Sequence, residues 1–170
     1  MPTRWALLGL LLHSGCAVEE RPDAPEVQLV MWPGQPLLDE YRAGVHAWSP
    51  LGFDLVDESA LEECPRRWYD EPRETQCVIT IGVKREPMLI ERMGTGAYAN
   101  RAERYMVIDD RVTNPLDLTT AAGHEAGCHI LLDSPLHTVG GLCGGSSGTL
   151  TSVDLDHACA TVGLCIDGRM

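Results

Sequence analysis

The segment from residue 119 to residue 137 holds the residue types and spacings best suited to chemistry. It reads T-T-A-A-G-H-E-A-G-C-H-I-L-L-D-S-P-L-H and contains His124, Glu125 and His129. Two imidazoles on one face of a helix bind a divalent metal ion side by side. A glutamate next to the first imidazole acts as general base on a water at the metal. The segment therefore predicts a metal centre, for which we expect Zn²⁺, with Glu125 as the catalytic base.

The two histidines are five residues apart, one more than a regular α-helix tolerates for neighbours on one face. At about 100° per residue, such positions lie about 140° from each other around the helix. A π-turn absorbs one extra residue and would return both rings to one face. Alternatively, Cys128, four residues after His124, supplies a thiolate ligand in place of His129. Gly123 and Gly127 each weaken the helix by about 1 kcal/mol relative to Ala, which favours a local distortion.

Hydrophobic patterns predict the strands that precede this segment. Alternating and β-branched runs indicate four strands, at about residues 27–32, 53–57, 77–83 and 104–109. Residues 93–98 are expected to form a glycine-bearing loop. The fold class is therefore α+β, with a twisted mixed sheet of about four strands.

The helices follow from spacing and capping residues. Apolar residues at helical spacing predict an N-terminal backing helix that ends at about Trp48. Asp117 or Thr119 can cap the motif helix, which extends to about Leu132. After it, residues 140–145 (G-G-L-C-G-G) predict a tight turn, and residues 152–162 predict a closing helix.

Together with the motif, this order of elements resembles the metzincin-like zincins, which are small single-domain zinc metalloproteases. The resemblance covers about residues 27–162, but specific motifs lie only between His124 and Cys143. It implies a zinc metalloendopeptidase in which His124, His129 and His137 are the zinc ligands and Glu125 is the general base. Cys143 stands where these enzymes have the methionine of a turn beneath the metal.

The chain departs from that family pattern at several positions. Leu132 stands where the pattern has a glycine, and His137 follows His129 by eight residues instead of six. Dipeptidyl peptidase III-like enzymes use H-E-x-x-x-H, which residues 124–129 match without a distortion. Their third ligand is a glutamate further along the chain, and no glutamate follows Glu125 here. We therefore set that second resemblance aside.

The N-terminus predicts export. Arg4 precedes an apolar run, residues 5–12, that is too short to cross a bilayer, and residues 1–15 are therefore interpreted as a signal peptide. The H-S-G-C stretch that ends at Cys16 resembles the lipobox of bacterial lipoproteins, with His13 in place of the usual Leu. We expect lipidation of Cys16, a polar tether over residues 16–26 and a folded domain over residues 27–170. The protein would then be anchored in the bacterial cell envelope, at the outer membrane, or secreted.

Six further cysteines suit an exported chain with disulfides. Their neighbourhoods favour the pairs Cys64–Cys77 and Cys159–Cys165. Cys128 and Cys143 remain, and they pair with each other, stay free, or leave Cys128 to bind metal.

Composition and net charge limit the classes of partner that we expect. The net charge is −12, with 25 acidic and 13 basic residues, which repels phosphate backbones and excludes nucleic acid as a partner. We expect a monomer that acts on a peptide or protein substrate and contacts the membrane only through an N-terminal lipid. His46 and His157 are interpreted as packing or surface residues.

Two alternatives to a peptidase stay open. One is a catalytically inactive envelope lipoprotein that keeps the fold, with a Cys128–Cys143 disulfide across the metal position. The other is a purely structural zinc site. Metal analysis and thiol counting distinguish them.

Overall fold

The computed structural model describes residues 23–70, 75–135, 140–145 and 148–166. These residues form a five-stranded sheet of β1 (Glu26–Met31), β2 (Asp54–Val56), β3 (Val78–Glu86), β4 (Ala97–Asn100) and β5 (Tyr105–Asp109). The strand order is β2-β1-β3-β5-β4, with every pair parallel except β4 and β5. The helices are α1 (Asp39–His46), a 3₁₀ turn (Ser49–Leu51), α2 (Leu89–Met93), α3 (Pro115–Gly123), a π-helical segment (His124–Leu131) and α4 (Ser152–Val162). The expected α+β class is confirmed.

Alternation along the strands places the core on one face of the sheet. Val27 of β1 pairs with Ile79 of β3, and Val83 of β3 pairs with Met106 of β5. All four side chains are buried in the main hydrophobic core together with apolar residues of α1, α3 and the π-helical segment. The opposite face is partly open, since Trp32, just beyond β1, is 53% exposed.

The helix that carries the motif is set by close contact with α1. A Cβ added at Gly44 of α1 would lie 2.5 Å from the carbonyl oxygen of Thr119 and 2.7 Å from the amide nitrogen of Gly123. The two helices therefore approach backbone to backbone, which only a residue without a side chain permits. This contact fixes the position of the end of α3 relative to α1, and therefore the position of His124, the next residue.

Two details of the sequence prediction are corrected. The sheet has five strands, because Ala97–Asn100 forms an edge strand where a loop was expected. The motif helix is capped by Asn114, whose side chain accepts a hydrogen bond from Leu116 N at 2.9 Å, and not by Asp117 or Thr119. The predicted extent to about Leu132 is confirmed, since α3 ends at Gly123 and the π-helical segment continues to Leu131. The closing helix covers residues 152–162, as predicted.

Three disulfides crosslink the domain: Cys64–Cys77, Cys128–Cys143 and Cys159–Cys165. The first and third were favoured by the sequence, and the second was one of its open options. Three disulfides are typical of proteins that mature in an oxidising compartment.

In the described residues, no helix has both the length and the apolar character needed to cross a membrane. The signal peptide and the lipidation of Cys16 lie outside the described residues.

Candidate metal centre

The five-residue spacing of the histidines is accommodated by a π-helix. The segment His124–Leu131 continues directly from α3, and the amide of Leu132 donates to the carbonyl of Gly127, five residues earlier, at 2.9 Å. The rings of His124 and His129 consequently lie on one face, with centroids 4.9 Å apart and planes at 87°. The structure therefore adopts the first of the two geometries that the sequence left open.

The indole of Trp48 packs against the helix where it widens. The indole Nε1–H of Trp48 donates to the carbonyl oxygen of Gly123 at 2.9 Å, so the widened turn keeps a buried hydrogen bond from outside the helix. The indole also fills the space beside Gly127, where an added Cβ would lie 1.8 Å from a ring carbon. Gly127 is thus required for close packing, a role beyond the softening of the helix that the sequence suggested.

Cys128 is not a metal ligand. Its sulfur is bonded to Cys143, and both residues are fully buried. The alternative in which Cys128 replaces His129 is therefore wrong, because a disulfide sulfur is not the thiolate that binds zinc. This disulfide is the one that the inactive-envelope alternative expected, and it coexists with the histidine cluster.

Both histidines are oriented by backbone carbonyls. His124 Nδ1–H donates to the carbonyl oxygen of Leu142 at 2.9 Å, and His129 Nδ1–H donates to that of Ser134 at 2.7 Å. A carbonyl oxygen only accepts, so the proton of each neutral ring is on Nδ1. The lone pair of each ring is then on Nε2, the tautomer that a metal ligand requires.

These side chains form a cluster suited to a metal ion. Among the described residues, one ligand atom from each of His124, Glu125 and His129 lies within 4.8 Å of the other two. Two imidazole nitrogens and one carboxylate oxygen are a donor set for a divalent transition metal. His137, the third ligand implied by the family resemblance, lies outside the described residues. His46 and His157 do not belong to the cluster.

Burial changes the chemistry of Glu125. The residue is only 6% exposed. Loss of hydration raises the pKa of its carboxyl from 4.5 to about 7. A buried carboxyl group that costs stability in this way is a frequent feature of functional sites.

The turn at residues 141–145 is held beneath the π-helical segment by Asp154, a residue whose role the sequence did not indicate. The fully buried carboxylate of Asp154 accepts hydrogen bonds from Leu142 N at 2.9 Å and from Cys143 N at 2.8 Å. Cys143, the expected counterpart of the methionine turn, therefore lies in a turn that contacts the motif helix through its disulfide. From the sequence, Asp154 would indicate this contact only if the turn that it holds were already known to lie beside α4.

A cleft of about 620 Å³ opens beside the cluster and includes His124 and Glu125 in its wall. Gly96 and Ala97, at the start of the edge strand β4, line its other side. A larger groove of about 890 Å³ lies on the open face of the sheet, near Trp32, and contains none of the cluster residues. We place the functional site at the smaller cleft, because reactive groups converge only there among the described residues.

Comparison with known proteins adds no relative. No protein-family model matches this sequence, and no curated protein is significantly similar to it. The fold and the site therefore define an exported-type, disulfide-bonded α+β domain with a His–Glu–His group that could hold a metal ion. Any narrower class has to be argued from the geometry of these residues.

The contact between Trp48 and Gly127 predicts a specific coupling. Gly127→Ala should destabilise the protein by about 1–3 kcal/mol, because the new methyl group overlaps the indole. In a Trp48→Leu background, which vacates that space, the same substitution should cost at least 1 kcal/mol less. Urea unfolding of the four proteins gives the coupling free energy. Equal costs of Gly127→Ala in the two backgrounds would contradict this packing contact between the indole and Gly127.

The raised pKa of Glu125 predicts a pH-dependent difference in stability. The folded state binds this proton more tightly than the unfolded state, so the resulting stability is fully present below pH 4.5. It is lost as pH rises through about 7. In metal-free protein, Glu125→Gln should match wild type near pH 4.5 and exceed its free energy of unfolding at pH 8 by on the order of 3 kcal/mol. Urea unfolding in a chelator at both pH values checks this, with Glu58→Gln on the exposed surface as control. A Glu125→Gln effect that is the same at both pH values would be the contrary result.

Proposed function

We propose that this protein is an exported zinc-dependent metallopeptidase that hydrolyses peptide bonds. The observation that carries the proposal is the convergence of His124, Glu125 and His129 within 4.8 Å beside an open cleft. Imidazole donors of this kind suit Zn²⁺, and backbone carbonyls already orient both rings. The chemistry of the donor set therefore fits the metal that the family resemblance implies.

The third ligand in this proposal is His137. Catalytic zinc sites commonly use three protein ligands and keep one position open for water or substrate. Ser134 and Pro135 end the motif helix, and the chain reaches His137 two residues later. This assignment depends on sequence position.

The chain's own residues would divide the reaction between them. When bound, zinc supplies a Lewis acid that polarises the scissile carbonyl and activates a water molecule. Glu125 accepts the proton of the attacking water and transfers it to the leaving amine. The Nε2 atoms of the two histidines would bind the metal, while each Nδ1–H stays hydrogen-bonded to its backbone carbonyl.

The position of β4 supports an extended peptide as substrate. β4 is the last strand of the sheet, packs against the π-helical segment and leads out of the residues that line the cleft. An edge strand can pair with an extended peptide through main-chain hydrogen bonds. Such pairing would bring the peptide beside His124 and Glu125. The three disulfides agree with export, and lipid anchoring through Cys16 at the outer membrane is part of this proposal.

The proposal predicts separate roles for the glutamate and the histidines. The purified domain with intact disulfides should contain one zinc ion by elemental analysis and should cleave a fluorogenic peptide mixture. Glu125→Gln should keep the zinc and lose about 100- to 10,000-fold in turnover, the usual contribution of a general base. His124→Ala should lose the zinc as well, because it removes a ligand. His46→Ala, at an exposed histidine of α1, is the matched control and should change neither quantity.

Each of the other outcomes would change a different part of this assignment. Zinc retention with cleavage undiminished in Glu125→Gln would contradict the assigned base. Loss of zinc from Glu125→Gln would make the carboxylate a ligand. Stoichiometric zinc without cleavage would indicate a structural site. Absence of zinc would favour the inactive envelope protein, whose Cys128–Cys143 disulfide is present.

A further inference from the structure

Helix α4 is hydrogen-bonded to the two residues whose carbonyl oxygens accept from the histidines, Leu142 and Ser134. On the His124 side, Asp154 holds the turn whose Leu142 carbonyl accepts the Nδ1 proton of His124. The carboxylate of Asp154 also accepts from the amide and the hydroxyl of Thr151, at 2.7 and 2.8 Å, which closes the capping box of α4. The turn and the start of α4 are therefore one hydrogen-bonded unit.

On the His129 side, the link runs through Ser134. The carbonyl oxygen of Ser134 accepts the Nδ1 proton of His129, and its hydroxyl shares a hydrogen bond of 3.0 Å with Nε2 of His157 in α4. Ser134 is 1% exposed, so its position is set by protein contacts rather than by water. The carbonyl oxygen of Asp133, the residue before it, accepts a hydrogen bond from Arg101 Nη1 at 3.0 Å, which holds the backbone next to Ser134.

Asp154 and His157 are three residues apart on α4, the spacing that places side chains on one helix face. We propose that this face of α4 positions the metal centre, Asp154 acting on His124 through Leu142 and His157 acting on His129 through Ser134. His157 is a positioning residue, since it acts on His129 through the hydrogen bond to Ser134. This inference rests on the proposed metal site and adds the element that orients it.

The physical reason is the directionality of a zinc–imidazole bond. Nε2 must point at the metal, and the ring direction is determined by the acceptor at Nδ1. The carbonyl of Ser134 belongs to the short segment between the π-helical segment and Pro135, in which the amide of Ser134 donates to the carbonyl oxygen of Cys128 at 3.0 Å. The hydrogen bond to His157 adds a contact through the Ser134 side chain, from a helix whose far end is closed by the Cys159–Cys165 disulfide.

The test measures metal binding rather than turnover. His157→Ala and Ser134→Ala should each weaken Zn²⁺ binding by about 10- to 100-fold in competition with a chromogenic chelator. Both variants should also change the visible absorption of the Co²⁺-substituted protein, which reports the coordination geometry. The double variant should bind as weakly as either single variant, because both substitutions break one link. His157→Gln, whose amide can bond the Ser134 hydroxyl, should restore most of the affinity, and His46→Ala should leave it unchanged.

A purely structural role for His157 predicts a different pattern. The variants would then lower the free energy of unfolding in a chelator while the Zn²⁺ affinity and the Co²⁺ spectrum of the folded protein stayed as in wild type, and this result would overturn the inference alone. Additive losses in the double variant would also overturn it, because the two residues would then act separately. Wild-type protein that binds neither Zn²⁺ nor Co²⁺ would overturn the inference and the proposed function together.

Discussion

The site depends on a single geometric constraint, the spacing of five residues from His124 to His129. In a regular α-helix that spacing turns the rings apart, and only a widened turn brings them together. The indole of Trp48 donates to the carbonyl oxygen of Gly123, where the widened segment begins, and Gly127 leaves room for the ring. The cluster of His124, Glu125 and His129 therefore lies on a widened helix that packs against a residue of another element.

The rest of the domain supports this arrangement in two ways. Backbone carbonyls of Leu142 and Ser134, from two segments that follow the motif helix, select the same tautomer in both histidines. The disulfide between Cys128 and Cys143 joins the π-helical segment to one of those segments without occupying the cluster. A covalent link at this place reduces the freedom of the turn in the unfolded chain and keeps it against the helix in the folded one. Burial of the ionised Glu125 carboxylate lowers the stability of the fold, and these contacts offset that loss.

Much of the fold followed from local patterns. β3 shows strong alternation and β-branched residues, and α4 has a capping residue at Thr151 and a glycine at its end, so both were predicted close to their observed bounds. Neighbouring sequence also favoured two of the disulfides. β4 was missed because Ala97–Asn100 is short and has no buried alternating face, and it is a strand only through its pairing with β5. The cap of α3 was misplaced because Asn114, Asp117 and Thr119 are all acceptable caps, and the local signal for Asn114, namely Pro115 at the first helical position, was not used.

By itself, the sequence determined which groups are present and how far apart they lie along the chain. This limited the motif to two geometries, a π-turn that joins the histidines or a regular helix that uses Cys128. Only the tertiary structure decided between them. Trp48, 75 residues before Gly123, donates a hydrogen bond to the carbonyl oxygen of Gly123, and Cys143 forms a disulfide with Cys128. The energies of alternative helical turns differ by little within an isolated segment, so contacts from distant residues select the one that forms.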